Sequence, residues 1–362
     1  VKVFSRRPIA LLLLATGLCG LSAAQLSPKQ KAENLESFEL VWSTVRARHP
    51  DPKLNGLDWQ AIHDSTRPAI EKAQSMPEVR SILVAMLAKL ASSHYSIIPG
   101  DAYKEIDNRS PAATEPGPAQ PAPVSPPSNP SGADKPEAGK PEESTPEESK
   151  IVRFGNLPEM RVTFESRVLP DGAGYIRFNE FLDPASIMPR FEAALKTFAK
   201  APGVILDLRG NPGGIGVMAM GIAGFFIDKP GFKLGEMKTR DTTLKFMIFP
   251  RPETYAGPLA ILIDAGSAST SEILAGGLQD LKRARIFGVR SAGAALPSDI
   301  VRLPNGDGFQ FAEASYTSVG GKVLEGAGVT PDVVVNGTRE TSLAGRDPVI
   351  EAAEAWIRST HG

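Results

Sequence analysis

The chain has 362 residues, with 40 Lys and Arg against 41 Asp and Glu and a formal net charge of −1. That length holds about two domains of roughly 100 to 200 residues each, and charge this close to neutral excludes the basic excess of a dedicated nucleic-acid binder. A single cysteine and 32 prolines are the totals whose places in the chain carry information.

Cys19 lies in a segment that opens with Lys2, Arg6 and Arg7, continues through an apolar stretch from Ile9 to Leu21, and ends in the small residues Ser22 and Ala24. The pattern predicts a secretory signal peptide over 1–24, cleaved after Ala24. The apolar run is shorter than the roughly 20 residues of a membrane span. Cleavage would leave no cysteine, so no disulfide, thiol nucleophile or cysteine-based zinc site is expected. A periplasmic or extracellular location and no integral membrane span follow, with the export route left open.

Residues 26–108 predict an N-terminal helical domain. Ser27, Pro28 and Gln30 read as N-cap, first-turn proline and capping box, followed by Leu35, Phe38, Val41, Trp42 and Val45 at helical spacing. A second helix surrounds Trp59, Ile62 and Ile70. A third starts at Ser75, Pro77 and Glu78 and buries Val79, Ile82, Leu83, Met86, Leu87 and Leu90. The apolar period breaks at Ser92-Ser93-His94-Tyr95-Ser96.

Residues 111–150 contain eleven prolines and almost nothing able to fill a core. Such a stretch cannot offset its ordering entropy, so 109–150 is predicted as a disordered or polyproline-extended linker. Residues 151–362 then predict an α/β core domain. Short apolar runs at Gly174 to Phe178, Gly203 to Leu208, Pro258 to Asp264 and Arg285 to Gly288 read as strands, with helical stretches at 185–200, 215–226 and 270–282 between them. Asn305-Gly306 marks a β-hairpin, and Asp347-Pro348 opens a last helix.

Two loops at strand C-termini draw attention as sites of chemistry. Asp207-Leu208-Arg209-Gly210-Asn211-Pro212-Gly213-Gly214 is a strand end running into a glycine turn whose bare N–H groups suit an anion, although a tight structural turn explains the glycines equally well. Asp264 to Leu274 is again a strand, a small-residue turn and a helix start. A serine there is either a nucleophile in the field of the helix dipole or simply a cap.

Taken together, GYIRF, VILDLRGNPGG, ILIDAGSASTSEILAGGLQD, ARIFGVRSAGA and EGAGVTPD resemble the C-terminal processing and tail-specific proteases, serine peptidase family S41, with its tricorn-core and retinoid-binding-protein relatives. The resemblance implies a ClpP/crotonase-like mixed sheet with helices, and a nucleophile at Ser269 supported by Ser267 and Ser271. The Ser-Lys branch carries a general-base lysine in a Gly-Lys-Gly turn, where this chain has Gly293-Ala294-Ala295, with Ser298 near the place of a companion glutamine. The chain is more similar to the tricorn-core-like branch, which takes a histidine from its helical part. That comparison selects His94 as base and Ser93 as accessory hydroxyl, over His49, His63 and His361. It also selects Glu325 as the acid that orients the imidazole, although a surface glutamate at a turn is the competing reading. Gly214 and Thr270 N–H groups are then expected to form the oxyanion hole. The partner is a peptide or protein substrate and no metal or organic cofactor is required. No PDZ domain is evident before the core. The other open function is a catalytically inactive ligand- or peptide-binding protein on the same fold.

Overall fold

The computed structural model describes residues 25–107, 148–152, 160–337, 341, 343 and 345–360. The predicted signal segment, most of the predicted linker and His361 lie outside them. Three helices come first: α1 (Pro28–Arg48), α2 (Trp59–Lys72) and α3 (Met76–Ala88). Each start is fixed by a side-chain acceptor for an N–H that the helix cannot satisfy: Ser27 Oγ for Gln30 (3.2 Å), Asp58 Oδ1 for Ala61 (2.9 Å) and Ser75 Oγ for Glu78 (3.4 Å). At α1 only this half of the predicted capping box forms: the Ser27 N–H does not donate to the Gln30 side-chain oxygen, and Gln30 Nε2 is buried without an acceptor among the described residues.

The helical part is not a closed bundle. Phe38, Val41, Trp59, Leu83 and Met86 share one buried cluster with Leu303, Phe309 and Phe311 from the far side of the chain. After α3 the chain forms β1 (Ser96–Ile98) and α4 (Gly100–Asp107). Thereafter come β2 (Glu148–Val152), β3 (Met160–Val168), β4 (Gly174–Phe178), α5 (Pro184–Thr197), β5 (Val204–Asp207), α6 (Gly216–Ala223), β6 (Lys233–Lys238) and β7 (Thr243–Met247). The core continues through β8 (Leu259–Ile263), α7 (Thr270–Asp280), β9 (Arg285–Gly288), β10 (Ser298–Arg302), β11 (Gly308–Ala312), β12 (Ser315–Ser318), β13 (Val333–Val334) and α8 (Pro348–Ser359).

The main sheet runs β13-β9-β8-β5-β4-β3-β2, parallel from β13 to β4 and antiparallel at β3 and β2. It begins at Glu148, so the last three residues of the stretch expected to be linker form part of an edge strand. Ladder bonding to β3 overrides a composition that looks unstructured when read alone. Every residue of β5 and β8 is buried, as continuous apolar runs require when both sheet faces are covered. The face toward α5, α6 and α7 carries Phe178, Leu206 and Ile261, while Tyr175, Ile205 and Leu262 face α8.

The hairpin β10–β11 takes β1 as its third strand, Ser96 to Ile98 pairing with Gln310 to Gly308. Its tip is bonded into the helices. Asp307, fully buried, accepts from Arg80 Nε (3.0 Å), Arg80 Nη2 (2.8 Å) and Gly100 N–H (2.7 Å), while Asn305 N–H donates to Ser37 Oγ (3.0 Å). From the β6–β7 turn, Arg240 donates to the carbonyls of Arg46 and His49 at the end of α1, both at 2.8 Å. Among the described residues no helix is long and apolar enough to cross a membrane.

Candidate active site

The parallel strands β5 and β8 deliver their two loops to the same end of the sheet. Buried hydroxyls fasten these loops together: Ser267 Oγ donates to the Leu208 carbonyl (2.8 Å), and Ser271 Oγ to that of Asn211 (2.9 Å). Upstream, the carboxylate of buried Asp207 accepts from Tyr175 Oη (2.8 Å) and Arg209 Nε (2.9 Å), which holds the start of the glycine turn.

Ser269 is the residue before α7 and has φ 53° and ψ −115°, a conformation that costs a side-chain-bearing residue about 1–3 kcal/mol. Its N–H is held by the Ala294 carbonyl (2.9 Å) and Glu272 Oε2 (3.0 Å). Its Oγ, half-buried, faces the Glu272 N–H in a capping box and donates to no described residue. The same turn that strains the backbone therefore leaves the hydroxyl proton without an acceptor among the described residues.

Gly213 and Gly214 lie against this helix start. A Cβ on Gly213, which has φ +100°, would sit 2.8 Å from the Ala268 carbonyl oxygen, Ser269 Cβ and Thr270 N, so only glycine allows the approach. Phe181 N–H donates to the Gly213 carbonyl and Ile215 N–H to that of Phe181, both at 2.8 Å. This bridge turns the peptide groups of the intervening Gly214 the other way, and its carbonyl accepts from Thr270 Oγ1 (2.8 Å). The N–H groups of Gly214 and Thr270 find no acceptor among the described residues. Two adjacent unsatisfied donors at a helix start make a place for a negative oxygen.

Sequence reasoning missed the part played by Glu272. It is fully buried and accepts from Ser269 N–H, Ser291 Oγ (2.6 Å), Gly293 N–H (2.8 Å) and Ala294 N–H (2.9 Å). One carboxylate thus locks the serine turn to the loop after β9. The signal was present: a Ser-x-x-Glu box normally sits on a solvated helix start, whereas this one is followed by the apolar Ile273-Leu274-Ala275 and has nowhere to point but inward.

His94 arrives from the helical side, immediately before β1, with φ 62°. Its Nδ1 is 2.6 Å from Ser93 Oγ. Ser93 donates its hydroxyl to Glu325 Oε2 (2.9 Å) and its N–H to Oε1 (2.6 Å), and Ala295 N–H also donates to Oε2 (3.1 Å). Glu325 therefore reaches the imidazole through Ser93 rather than by the direct contact that its expected role suggested. Burial lowers the His94 pKa, and the nearby Glu325 charge works against that effect.

The two half-sites meet at consecutive residues: Ala294 holds Ser269, and Ala295 holds Glu325. No hydrogen bond joins Ser269 Oγ to His94 among the described residues. The other described histidines are occupied elsewhere. His63 lies between Glu39 and Asp64 (3.0 and 2.9 Å), and His49 is buried against the Asp51 backbone and stacked on Tyr95. Among the described residues no group of three or more His, Cys, Asp or Glu is placed to hold a metal ion.

Residues 172–335 match the family model of peptidase family S41, and residues 30–88 match that of the tricorn protease C1 domain. A carboxy-terminal-processing protease of Bartonella bacilliformis is 31% identical over 187 residues, covering 50% of this chain and 43% of that protein. The chain resembles peptidase family S41 over residues 172–335. It spans less than half the length of this curated relative. Two solved structures share the fold of this chain: the photosystem II D1 C-terminal processing protease (TM-score 0.54, 18% identity, 86% of this chain and 94% of that one) and the tricorn protease (TM-score 0.56, 14% identity, 92% and 37%). The family S41 match contains the glycine turn, Ser269, Glu272 and Glu325. His94 and Ser93 stand outside both matched segments, a few residues beyond the helical one, and reach the site through β1.

Proposed function

We propose that the chain is an exported serine endopeptidase, with Ser269 as nucleophile, His94 as general base, Ser93 and Glu325 as its orienting relay, and the N–H groups of Gly214 and Thr270 as oxyanion hole. The observation that carries this reading is that the strained serine turn, with two unsatisfied N–H donors beside it, and the histidine–hydroxyl–carboxylate chain are tied to consecutive residues of one loop, Ala294 and Ala295.

The tautomer follows from the hydrogen bonds. Ser93 gives its proton to Glu325, so its oxygen accepts from His94 Nδ1–H, and the neutral ring keeps a lone pair on Nε2. Nε2 takes the Ser269 proton as Oγ attacks a peptide carbonyl, a contact that substrate binding tightens. The positive ring is stabilised by the Glu325 charge conveyed through Ser93, and the carbonyl oxygen becomes an anion held by the two N–H groups. His94 returns the proton to the leaving amine, and water repeats the sequence on the acyl-enzyme.

A fluorophosphonate probe tests the assignment directly. The expected result is a covalent adduct mapped to Ser269 in the intact protein, together with peptide hydrolysis. Neither labelling nor hydrolysis would return the chain to the inactive binding reading. Export is tested by N-terminal sequencing of the secreted protein, expected to begin at Gln25.

The pH profile supplies a second check. Because the base must be neutral and burial lowers its pKa, kcat/KM should fall on the acid side only below the ordinary imidazole midpoint of about 6.5. Glu325→Gln removes the charge that favours the protonated ring. The acid limb then moves to still lower pH while the plateau rate drops roughly a hundredfold or more. A limb that stays in place would remove Glu325 from the relay.

A further inference from the structure

Glu180 is a carboxyl that this chemistry leaves unused. It follows β4 and immediately precedes Phe181, whose N–H and carbonyl are both bonded to the glycine turn at Gly213 and Ile215. Its main chain therefore lies on the strand end that flanks Gly214. The side chain is half-buried, yet it forms no hydrogen bond or ion pair with a described residue. Next to it, Asn179 is fully engaged on β3, accepting from Thr163 N–H and donating to the Arg161 carbonyl, both at 2.7 Å. Burial alone pushes the Glu180 pKa up to about 7. A carboxyl taken partly out of water with no compensating donor is costly, and such a group on the strand end that flanks Gly214 calls for a partner from outside the chain.

We propose that Glu180 is a specificity subsite that receives a cationic side chain, Lys or Arg, of the peptide bound beside Ser269. This rests on the peptidase reading above. A bound ammonium or guanidinium supplies the missing donors and holds the carboxyl ionised, whereas an acidic substrate side chain would meet a like charge in a poorly solvated place. The glycine turn couples the two events: the segment that carries Glu180 is the one hydrogen-bonded to the residues on either side of Gly214, so a cation anchored there registers the peptide against the oxyanion donors.

The test uses quenched fluorogenic peptides of one frame, each with Lys, norleucine or Glu at a single position on either side of the scissile bond. Lys should be preferred over norleucine by about tenfold in kcat/KM at one position, the strength of a partly desolvated charge pair. Glu180→Gln should bring that ratio close to one, and Glu180→Lys should reverse the preference toward Glu. Binding of the intact peptides to the Ser269→Ala protein, followed by anisotropy, should show the same Lys preference without cleavage. Cleavage with no Lys preference, or a preference unchanged in Glu180→Gln, would overturn the subsite and leave the peptidase reading intact. Lys-selective, Glu180-dependent binding with no cleavage by the unmodified protein would support the subsite and overturn the peptidase reading.

Discussion

Ser269→Ala should lower kcat for peptide hydrolysis by roughly a millionfold and abolish fluorophosphonate labelling, with His94→Ala costing nearly as much. Because the two residues act as one unit, the double variant should be no slower than either single one, the remaining rate coming from the oxyanion donors and from binding. Hydrolysis of fluorogenic peptides by purified variants reads all three. Retained cleavage in Ser269→Ala would remove the nucleophile assignment, and retained cleavage in His94→Ala would move the base elsewhere. The backbone adds a signature that a plain cap would not show. At φ 53° and ψ −115° a glycine is less strained than any side-chain-bearing residue, so Ser269→Gly should be inactive yet about 1 kcal/mol more stable to denaturant. A serine kept for its cap would instead lose stability on that replacement.

The sequence makes the framework legible where local signals agree. Ser27, Ser75 and Asp347 cap helices, the unbroken runs Val204–Asp207 and Leu259–Ile263 are buried strands, and Asn305-Gly306 turns a hairpin. The short three-stranded sheet of β12, β6 and β7 is not legible, since β7 is exposed over Thr243–Lys245 and has no apolar alternation to read. The edge strand at Glu148–Val152 is hidden for a similar reason: its pairing with β3, rather than its own composition, makes it a strand. Within the candidate site, the glycine turn stands out in the sequence itself, whereas the choice of Ser269 among the serines of its loop comes from the resemblance to the processing proteases. The four-donor lock on Glu272 could not be read from the sequence, because its partners Ser291, Gly293 and Ala294 lie about 20 residues away on another loop. Nor could the route from Glu325 to His94 through Ser93, a contact between residues more than 200 positions apart.

Arg80→Ala should destabilise the protein by about 3–5 kcal/mol, the cost of leaving a buried charge without its partner, and should lower peptidase activity by more than the unfolded fraction explains. Asp307 is fully buried, and with Arg80 gone its carboxylate keeps Gly100 N–H as its donor outside the hairpin. That contact is where the hairpin β10–β11 enters the helical part, and β1, which begins two residues after His94, is paired to the same hairpin. Loosening the tip therefore frees the strand that follows His94, the proposed base, while Ser269 stays where Glu272 and the Ala294 carbonyl hold it. The residual folded protein should keep its fluorophosphonate-accessible pocket but react slowly. Urea denaturation followed by fluorescence of Trp42 and Trp59, whose indole N–H groups each donate to the other's carbonyl (2.9 and 3.0 Å), reports the helical part directly. Replacing both partners, Arg80→Met with Asp307→Leu, should recover stability relative to Arg80→Ala, because no charge is then stranded. Stability within about 0.5 kcal/mol of the parent in Arg80→Ala, a difference the size of an ordinary surface change, would show that the two parts are held together by the shared apolar cluster alone.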